Sequence, residues 1–138
     1  MDHTTQIAWI IDDDDVYKFG FRKYVELKKL CAEVVEFSNG IDAINFLSNT
    51  ANAANLPDII FLDIDMPVMN GWEFMVAFEK ISSRLNKKIA IFLVTSDISY
   101  EDILQAQNFP DITDYIIKPI NSQQFNFAFT GEINKKIA

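Results

Sequence analysis

The sequence predicts a doubly wound α/β fold, in which five parallel strands alternate with five helices in one domain. Three observations predict it. Short apolar runs alternate with segments whose apolar residues recur every three or four positions. The central runs are almost continuously apolar, as in a sheet that helices cover on both faces. The 138 residues, 49% of them hydrophobic, suit one domain over 1–138, with a core of about 7–133.

The first half of the chain is predicted to be strand, helix, strand, helix. The strands are Ile7–Ile11 and Glu33–Phe37. The helix between them follows Asp15, and the spacing predicts that its inward face consists of Val16, Phe19, Tyr24, Leu27 and Leu30. Its lysines and Arg22 are predicted to lie largely on the other face. After the turn signal at Asn39-Gly40, a helix is expected over 41–47, and the small polar residues of 48–57 predict a loop or a frayed helix end.

The second half repeats this alternation three times. Its predicted strands are Asp58–Leu62, Ile89–Val94 and Tyr115–Ile117. Its predicted helices cover about 72–84, 100–107 and 122–136. Ser99 and Asp102 suit a capping box, and Asn121 suits an N-cap. In the last helix, Phe125, Phe127 and Phe129 alternate, so Phe127 or Phe129 is expected to be partly exposed.

Four of the apolar runs end in polar residues, which are Asp12 with Asp13, then Asp63, Thr95 and Lys118. Because the carboxyl ends of parallel strands form one edge, where ligands bind, these side chains should converge. Two like charges at about 4 Å repel by about 1 kcal/mol in water and about 4 kcal/mol at a dielectric constant of about 20. A divalent ion such as Mg2+, which prefers oxygen ligands, would relieve that repulsion.

Four motifs carry a resemblance to a known family. They are IIDDD after the first strand, FLDIDMPVMNG after the third, FLVTS after the fourth and YIIKP at the fifth. In this order, they resemble the receiver domain of bacterial two-component response regulators over about 7–133. The resemblance implies a flavodoxin-like sheet with strand order 2-1-3-4-5. It also implies a stand-alone phosphorylation switch that is not a turnover enzyme, although it catalyses its own phosphorylation and dephosphorylation.

The resemblance further implies a role for each site residue. Asp63 would accept a phosphoryl group from a histidine kinase or a histidine phosphotransfer protein. Asp12, Asp13, Asp63 and the backbone carbonyl of Asp65 would hold Mg2+ or Mn2+.

The switch residues also follow from the resemblance. Thr95 and Lys118 would contact the phosphoryl group, and Tyr115 would swing inward on activation. Activation would shift the face of helix 4, strand 5 and helix 5, which would bind an unidentified target or a second copy. The Lys118–Pro119 peptide is expected to be cis.

Two acidic residues and one loop complete the expectations. Asp65 and Asp97, two positions after the acceptor and the threonine, are hypothesised to modulate phosphate lifetime, since added anions repel a phosphoryl group. The turn after the acceptor is expected to use Pro67 for a fixed φ and Gly71 for a positive φ.

Two other functions remain open at this point. The order Asp63-Ile64-Asp65 mimics the D-x-D motif of haloacid dehalogenase phosphatases, which also use Mg2+. In that family, however, the D-x-D motif lies on the first strand and the acidic pair comes last. The other alternative is a receiver that has lost phosphorylation and serves only as a protein-binding module.

The bulk composition argues against several partners. A net charge of −8 argues against direct binding of nucleic acid or an anionic membrane. No apolar run reaches the roughly 18 residues of a membrane span, and the N-terminus, which includes His3, lacks a signal pattern. A cytoplasmic location is therefore expected. The single cysteine, Cys31, excludes an intrachain disulfide.

Overall fold

A five-stranded parallel sheet forms the centre of the molecule. The computed structural model describes residues 7–130. The strands are β1 (Ile7–Ile11), β2 (Glu33–Phe37), β3 (Ile59–Asp63), β4 (Ala90–Thr95) and β5 (Ile112–Ile117). All neighbours pair in parallel, and the order β2-β1-β3-β4-β5 confirms the predicted fold. His3 and the last residues of the predicted final helix lie outside the described range.

Five α-helices connect and follow the strands. They are α1 (Asp15–Lys28), α2 (Gly40–Ser48), α3 (Gly71–Ser82), α4 (Tyr100–Ala106) and α5 (Ser122–Thr130). A 3-10 helix, Thr50–Asn55, lies in the segment expected to be a loop. The predicted capping box of Ser99 and Asp102 is confirmed, and Asn121 Oδ1 accepts a hydrogen bond from Gln124 N at 2.8 Å, as predicted for an N-cap.

The sheet separates two hydrophobic clusters. Trp9 and Ile11 of β1 face the cluster formed with α2 and α3, whereas Ala8 and Ile10 face the cluster formed with α1 and α5. This alternation follows from the two-residue period of a strand. Phe125 and Phe129 are buried in the second cluster, while Phe127 is only partly buried, as expected. None of the helices within 7–130 has the length and hydropathy of a membrane span.

The prediction for the inward face of α1 was right for Tyr24 and Leu30, which pack against the second cluster, and wrong for Val16, Phe19 and Leu27, which are exposed. The buried residues of this helix are Lys18, Phe21 and Val25, whereas Val16 is 82% exposed and Leu27 is 79% exposed. Apolar residues occur on both sides of α1, so spacing alone does not determine which side faces the sheet. Packing decides it, because the Phe21 ring fits against Phe61 and Phe125 at centroid distances of 4.8 and 5.4 Å.

Strand β5 begins three residues earlier than predicted. Its pairing with β4 shifts between Ile91 and Phe92, whose partners are Ile112 and Asp114. Thr113 is thus an extra residue, which makes a bulge in an edge strand. Thr113 and Asp114 are exposed and polar, so the apolar pattern did not extend to them.

Candidate functional site

Three of the predicted site residues are buried at the carboxyl edge of the sheet. Asp12 follows β1 and has no exposed surface, Asp63 ends β3 and is 5% exposed, and Thr95 ends β4 and is 1% exposed. Asp13 is exposed beside them. Two carboxylates that are withdrawn from water in this way need compensating charge.

The three aspartates form a cluster suited to a cation. One carboxylate oxygen from each of Asp12, Asp13 and Asp63 lies within 4.8 Å of the others. Asp14 N donates to Asp12 Oδ1 at 2.9 Å, and Asp65 N donates to Asp63 Oδ1 at 3.2 Å, so two of the carboxylates are oriented by backbone N–H groups. A set of carboxylate oxygens at this spacing fits a hard divalent ion such as Mg2+.

The protonation of Asp63 reflects the shortage of positive charge. Burial, together with the charge of Asp12, raises the pKa of Asp63 from 3.8 to about 7, although Lys118 and the Asp65 N–H act in the opposite direction. A divalent cation in the cluster would favour the ionised form and reverse this shift.

Lys118 is the basic residue of the site. Its Nζ lies 2.8 Å from Asp12 Oδ2, and its side chain is 17% exposed. Burial by itself lowers the pKa of Lys118, but the contact with Asp12 and the charges of Asp12 and Asp63 outweigh this and raise it. The backbone fixes its place, since Lys118 N donates to Thr95 O at 2.8 Å and the Lys118–Pro119 peptide is cis, as expected.

Thr95 connects the two acidic residues that were expected to modulate the site. Its hydroxyl lies 2.8 Å from the backbone carbonyl of Asp97, to which it donates, and 3.3 Å from Asp65 Oδ2. Asp97 N is also 3.3 Å from the hydroxyl. Asp65 therefore reaches Thr95 through its carboxylate, whereas the recorded contacts of Asp97 with Thr95 are made by its backbone.

The loop after Asp63 needs a glycine for a different reason from the one predicted. A Cβ at Gly71 would lie 2.8 Å from Ile64 Cα and 2.9 Å from Asp63 O, so any side chain would collide with the backbone beside the acceptor. Gly71 N donates to Ile64 O at 2.9 Å. The positive φ, 70°, belongs to Val68 instead. Gly71 thus allows α3 to approach the Asp63 strand end closely.

Tyr115 lies on β5, opposite Leu93 of β4. It is partly buried and packs against the hydrophobic cluster on the α2 and α3 side. Its switching role stays a prediction, as does the Asp65 carbonyl as a metal ligand.

Two residues of α1 lie at or near the site although the sequence did not indicate them. The Tyr17 ring centroid is 4.3 Å from Lys118 Nζ. Lys18, predicted to be solvated, is 2% exposed, and its Nζ donates to Ser38 Oγ at 2.7 Å and pairs with Asp15 at 3.3 Å. The signal that could have found them is position, because both lie in the first turn of a helix that begins beside the acidic pair.

Comparison with known proteins gives a consistent result. Residues 8–129 match the model of the response regulator receiver domain. A sensor histidine kinase, CheAY, from Helicobacter pylori is 30% identical over 117 residues, which is 85% of this chain and 14% of that protein. The chain spans only 6% to 28% of the lengths of the curated relatives it matches.

Solved structures agree with this match. A two-component response regulator from Cytophaga hutchinsonii superposes with a TM-score of 0.81 at 27% identity, covering 90% of this chain and 93% of that one. The phosphorylated cyanobacterial phytochrome response regulator RcpA superposes with a TM-score of 0.71 at 25% identity, covering 89% and 88%.

Proposed function

Because the chain belongs to the response regulator receiver domain family and acts in phosphorylation-dependent signalling, we propose that Asp63 is its phosphoacceptor. The observation that carries this proposal is the placement of a buried, poorly compensated carboxylate at the end of β3, within 4.8 Å of two further carboxylates. The whole described domain would act as one switch, and no turnover of a released substrate is required.

In the proposed transfer, an oxygen of Asp63 attacks the phosphorus of a phosphohistidine. The P–N bond breaks as the P–O bond forms, and its electron pair stays on the imidazole nitrogen. The Asp65 N–H at 3.2 Å from Oδ1 fixes the rotation of the carboxylate, which keeps the attacking group aligned. The charge that develops on the phosphoryl oxygens must be balanced by cationic and donor groups.

Asp12, Asp13 and Asp63 are the residues that would hold Mg2+, with the Asp65 carbonyl as a further ligand. When bound, the ion supplies charge neutralisation for the carboxylates and for the phosphoryl oxygens. Mn2+ prefers the same oxygen ligands and is proposed as a substitute. Asp12 also holds Lys118 at 2.8 Å, so it joins the cation site to the phosphoryl site.

Lys118 and Thr95 are proposed to bind the phosphoryl group once it is on Asp63. Lys118 would turn from Asp12 towards a phosphoryl oxygen, and the Thr95 hydroxyl would exchange the Asp97 carbonyl for another. Charge-assisted hydrogen bonds of this kind are about twice as strong as neutral ones. Formation of these bonds would shift Thr95 at the end of β4. Tyr115, on the adjacent strand, would then move inward.

Asp65 and Asp97 are proposed to set the lifetime of the aspartyl phosphate. Asp65 Oδ2 lies 3.3 Å from the Thr95 hydroxyl, the group proposed to contact the phosphoryl group. A carboxylate there repels the phosphoryl oxygens and promotes hydrolysis.

The phosphodonor is proposed to be a histidine kinase or a histidine phosphotransfer protein. The downstream target is proposed to bind the surface formed by α4, β5 and α5, which is also the candidate dimer surface. The haloacid dehalogenase alternative is not supported, since the family match covers residues 8–129 and the acidic pair precedes the acceptor strand.

The test is labelling with acetyl phosphate and Mg2+, followed by intact mass spectrometry. We expect one phosphoryl group on the wild-type chain and none on Asp63→Asn. The matched control is Asp58→Asn, which changes an aspartate at the other end of the same strand and should leave labelling intact. Full labelling of Asp63→Asn would refute the proposal, and lack of labelling in the wild type would favour a binding module.

A further inference from the structure

Tyr17 lies directly against the lysine of the site. Its ring centroid is 4.3 Å from Lys118 Nζ, well inside the roughly 6 Å over which a cation–π attraction is significant. The lysine side chain is 17% exposed, and its Nζ also pairs with Asp12. The attraction strengthens when the cation is shielded from water, as it is here.

Tyr17 is constrained at its backbone and has an aromatic neighbour beside its ring. Asp14 caps α1 by accepting a hydrogen bond from Tyr17 N at 3.0 Å, which fixes the backbone in the first turn. The Phe21 ring lies one turn further along, at a centroid distance of 6.5 Å. Tyr17 therefore presents a preformed aromatic face to Lys118. The ring is already ordered in the folded chain, so phosphoryl binding does not have to order it.

The hydroxyl of Tyr17 has a different environment from the ring. It is buried and has no hydrogen-bond partner among residues 7–130. Burial, reinforced by the charges of Asp12 and Asp63, raises the pKa of Tyr17, so the side chain stays neutral. A neutral phenol keeps its π face available to an ammonium group, and the negative field of the aspartates draws that ammonium to the same place.

We infer that Tyr17 is a positioning residue for phosphoryl binding, whose ring holds the Lys118 ammonium while it moves between Asp12 and the phosphoryl group on Asp63. This inference rests on the proposed function of the site. An ammonium that leaves Asp12 would otherwise regain water. The ring lets Lys118 exchange one anionic partner for another without leaving the pocket, and the ring itself contacts neither the metal nor the reacting atoms.

The test distinguishes the contribution of the Tyr17 ring from that of its hydroxyl. It also distinguishes an effect on Lys118 from an effect on the metal site. Tyr17→Met removes the ring but keeps a flexible apolar side chain, and Tyr17→Phe keeps the ring but removes the hydroxyl. We expect Tyr17→Met to weaken binding of beryllofluoride in the presence of Mg2+ about tenfold, and Tyr17→Phe to change it by less than about twofold. Affinity for Mg2+ alone should stay within about twofold in both variants, since Lys118 does not ligate the metal.

Two further measurements exclude a merely structural role. In the metal-free protein, NMR of the Lys118 ε-methylene protons should show an upfield ring-current shift that Tyr17→Phe retains and Tyr17→Met loses. In a Lys118→Met background, Tyr17→Met should cause no additional loss of beryllofluoride affinity, since the coupled partner is gone. Tyr24→Met is the matched control, because Tyr24 lies on the same helix and packs on Phe125 at 4.4 Å.

Each other outcome overturns the inference. Wild-type affinity in Tyr17→Met, an equal loss in Tyr17→Phe, or a loss that persists without Lys118 would each contradict positioning by the ring. If Tyr17→Met proves unstable in urea unfolding, Tyr17→Leu and the NMR shift in Tyr17→Phe decide the question. Failure of the wild type to bind beryllofluoride, or binding by Asp63→Asn, would instead contradict the proposed function.

Discussion

One aspartate directly precedes strand β3 and another ends it, and the two aspartates differ in how their charge is balanced. Asp58, just before the strand, lies 2.9 Å from Lys87 Nζ and accepts a hydrogen bond from Ile7 N at 2.9 Å. Lys87 also donates to Leu56 O at 3.0 Å. At this end of the strand, the charge of Asp58 is balanced by Lys87. These contacts connect the start of β1, the segment before β3 and the segment before β4.

Asp63, at the other end, is buried beside two more carboxylates. Within residues 7–130, its carboxylate accepts one hydrogen bond, from Asp65 N at 3.2 Å, and the nearby Lys118 is already paired with Asp12. The same residue type therefore forms an ion pair at one end of β3 and has a poorly compensated charge at the other. The Asp63 end is the one for which we propose cation binding and phosphorylation.

The largest expected effect comes from removing a carboxylate from the Asp63 end. Asp13→Ala should lower the initial rate of labelling by acetyl phosphate about 100-fold at limiting Mg2+, since a metal ligand is lost and the ion contributes several kcal/mol. Asp13 is exposed, so the fold should tolerate the change. Asp14→Asn is the control, because Asn still caps α1 and only a neighbouring charge is removed. Equal rates in the two variants would count against the metal site.

The uncompensated charge of Asp63 should also affect the free energy of unfolding of the metal-free protein. The pKa of Asp63 in the folded chain, about 7, lies above its ordinary 3.8, so the folded state holds an extra proton between these pH values. The free energy of unfolding of the wild type should therefore fall as pH rises through this window. Asp63→Asn lacks this penalty and should be more stable than wild type by about 2 kcal/mol at pH 8.

Urea unfolding at pH 5 and pH 8 in a chelator measures this difference. The gap between the two proteins should widen with pH, and saturating Mg2+ should stabilise the wild type much more than Asp63→Asn. A gap that is constant across pH would mean that Asp63 is not under-compensated.

At the Asp58 end of β3, substitution should lower stability and leave labelling unchanged. Asp58→Ala removes an ion pair whose side chains are about one-third exposed, together with the acceptor for Ile7 N, and should cost about 1–2 kcal/mol of unfolding free energy. Labelling of the folded variant by acetyl phosphate should keep the wild-type rate. Lys87→Met should cost less, since Ile7 N keeps its acceptor. A large loss of labelling in Asp58→Ala would erase the contrast between the two strand ends.

The smallest expected effect concerns the lifetime of the phosphorylated form. Asp65→Asn should slow loss of the phosphoryl group about fivefold, since about 1 kcal/mol of repulsion at roughly 4 Å in water is removed. Asp97→Ala should change the rate less, because the recorded contacts of Asp97 with Thr95 are made by its backbone. Decay of label after removal of acetyl phosphate measures both, and unchanged decay in both variants would remove the proposed role.

The strand-end residues were predictable because a simple rule places them. An apolar run that ends in Asp12, Asp63 or Thr95 puts that residue at the carboxyl edge of a parallel sheet, whatever the details of packing. The bounds of β1 and β2 and the position of these residues at the ends of their strands agree with that expectation, whereas the strand order was expected from the family resemblance.

The features that the sequence did not predict depend on packing between distant segments. The inward face of α1 is set by Phe61 and Phe125, which are far from Phe21 in the chain. Tyr17 reaches Lys118 only because folding brings the first turn of α1 close to the residue that follows β5. The steric need for Gly71 likewise arises from the fold, because α3 begins against the backbone at the end of β3. Spacing within one segment carries no information about such contacts.

The most direct test of the account is the position of the label. After reaction with acetyl phosphate, borohydride reduces an aspartyl phosphate to homoserine, and tandem mass spectrometry then locates the changed residue. With Mg2+ present, we predict homoserine at position 63 and an unchanged Asp58; with a chelator present, we predict no homoserine. Label at any other carboxylate, or equal label at Asp63 without a divalent ion, would contradict the claim that uncompensated charge at this strand end creates the site.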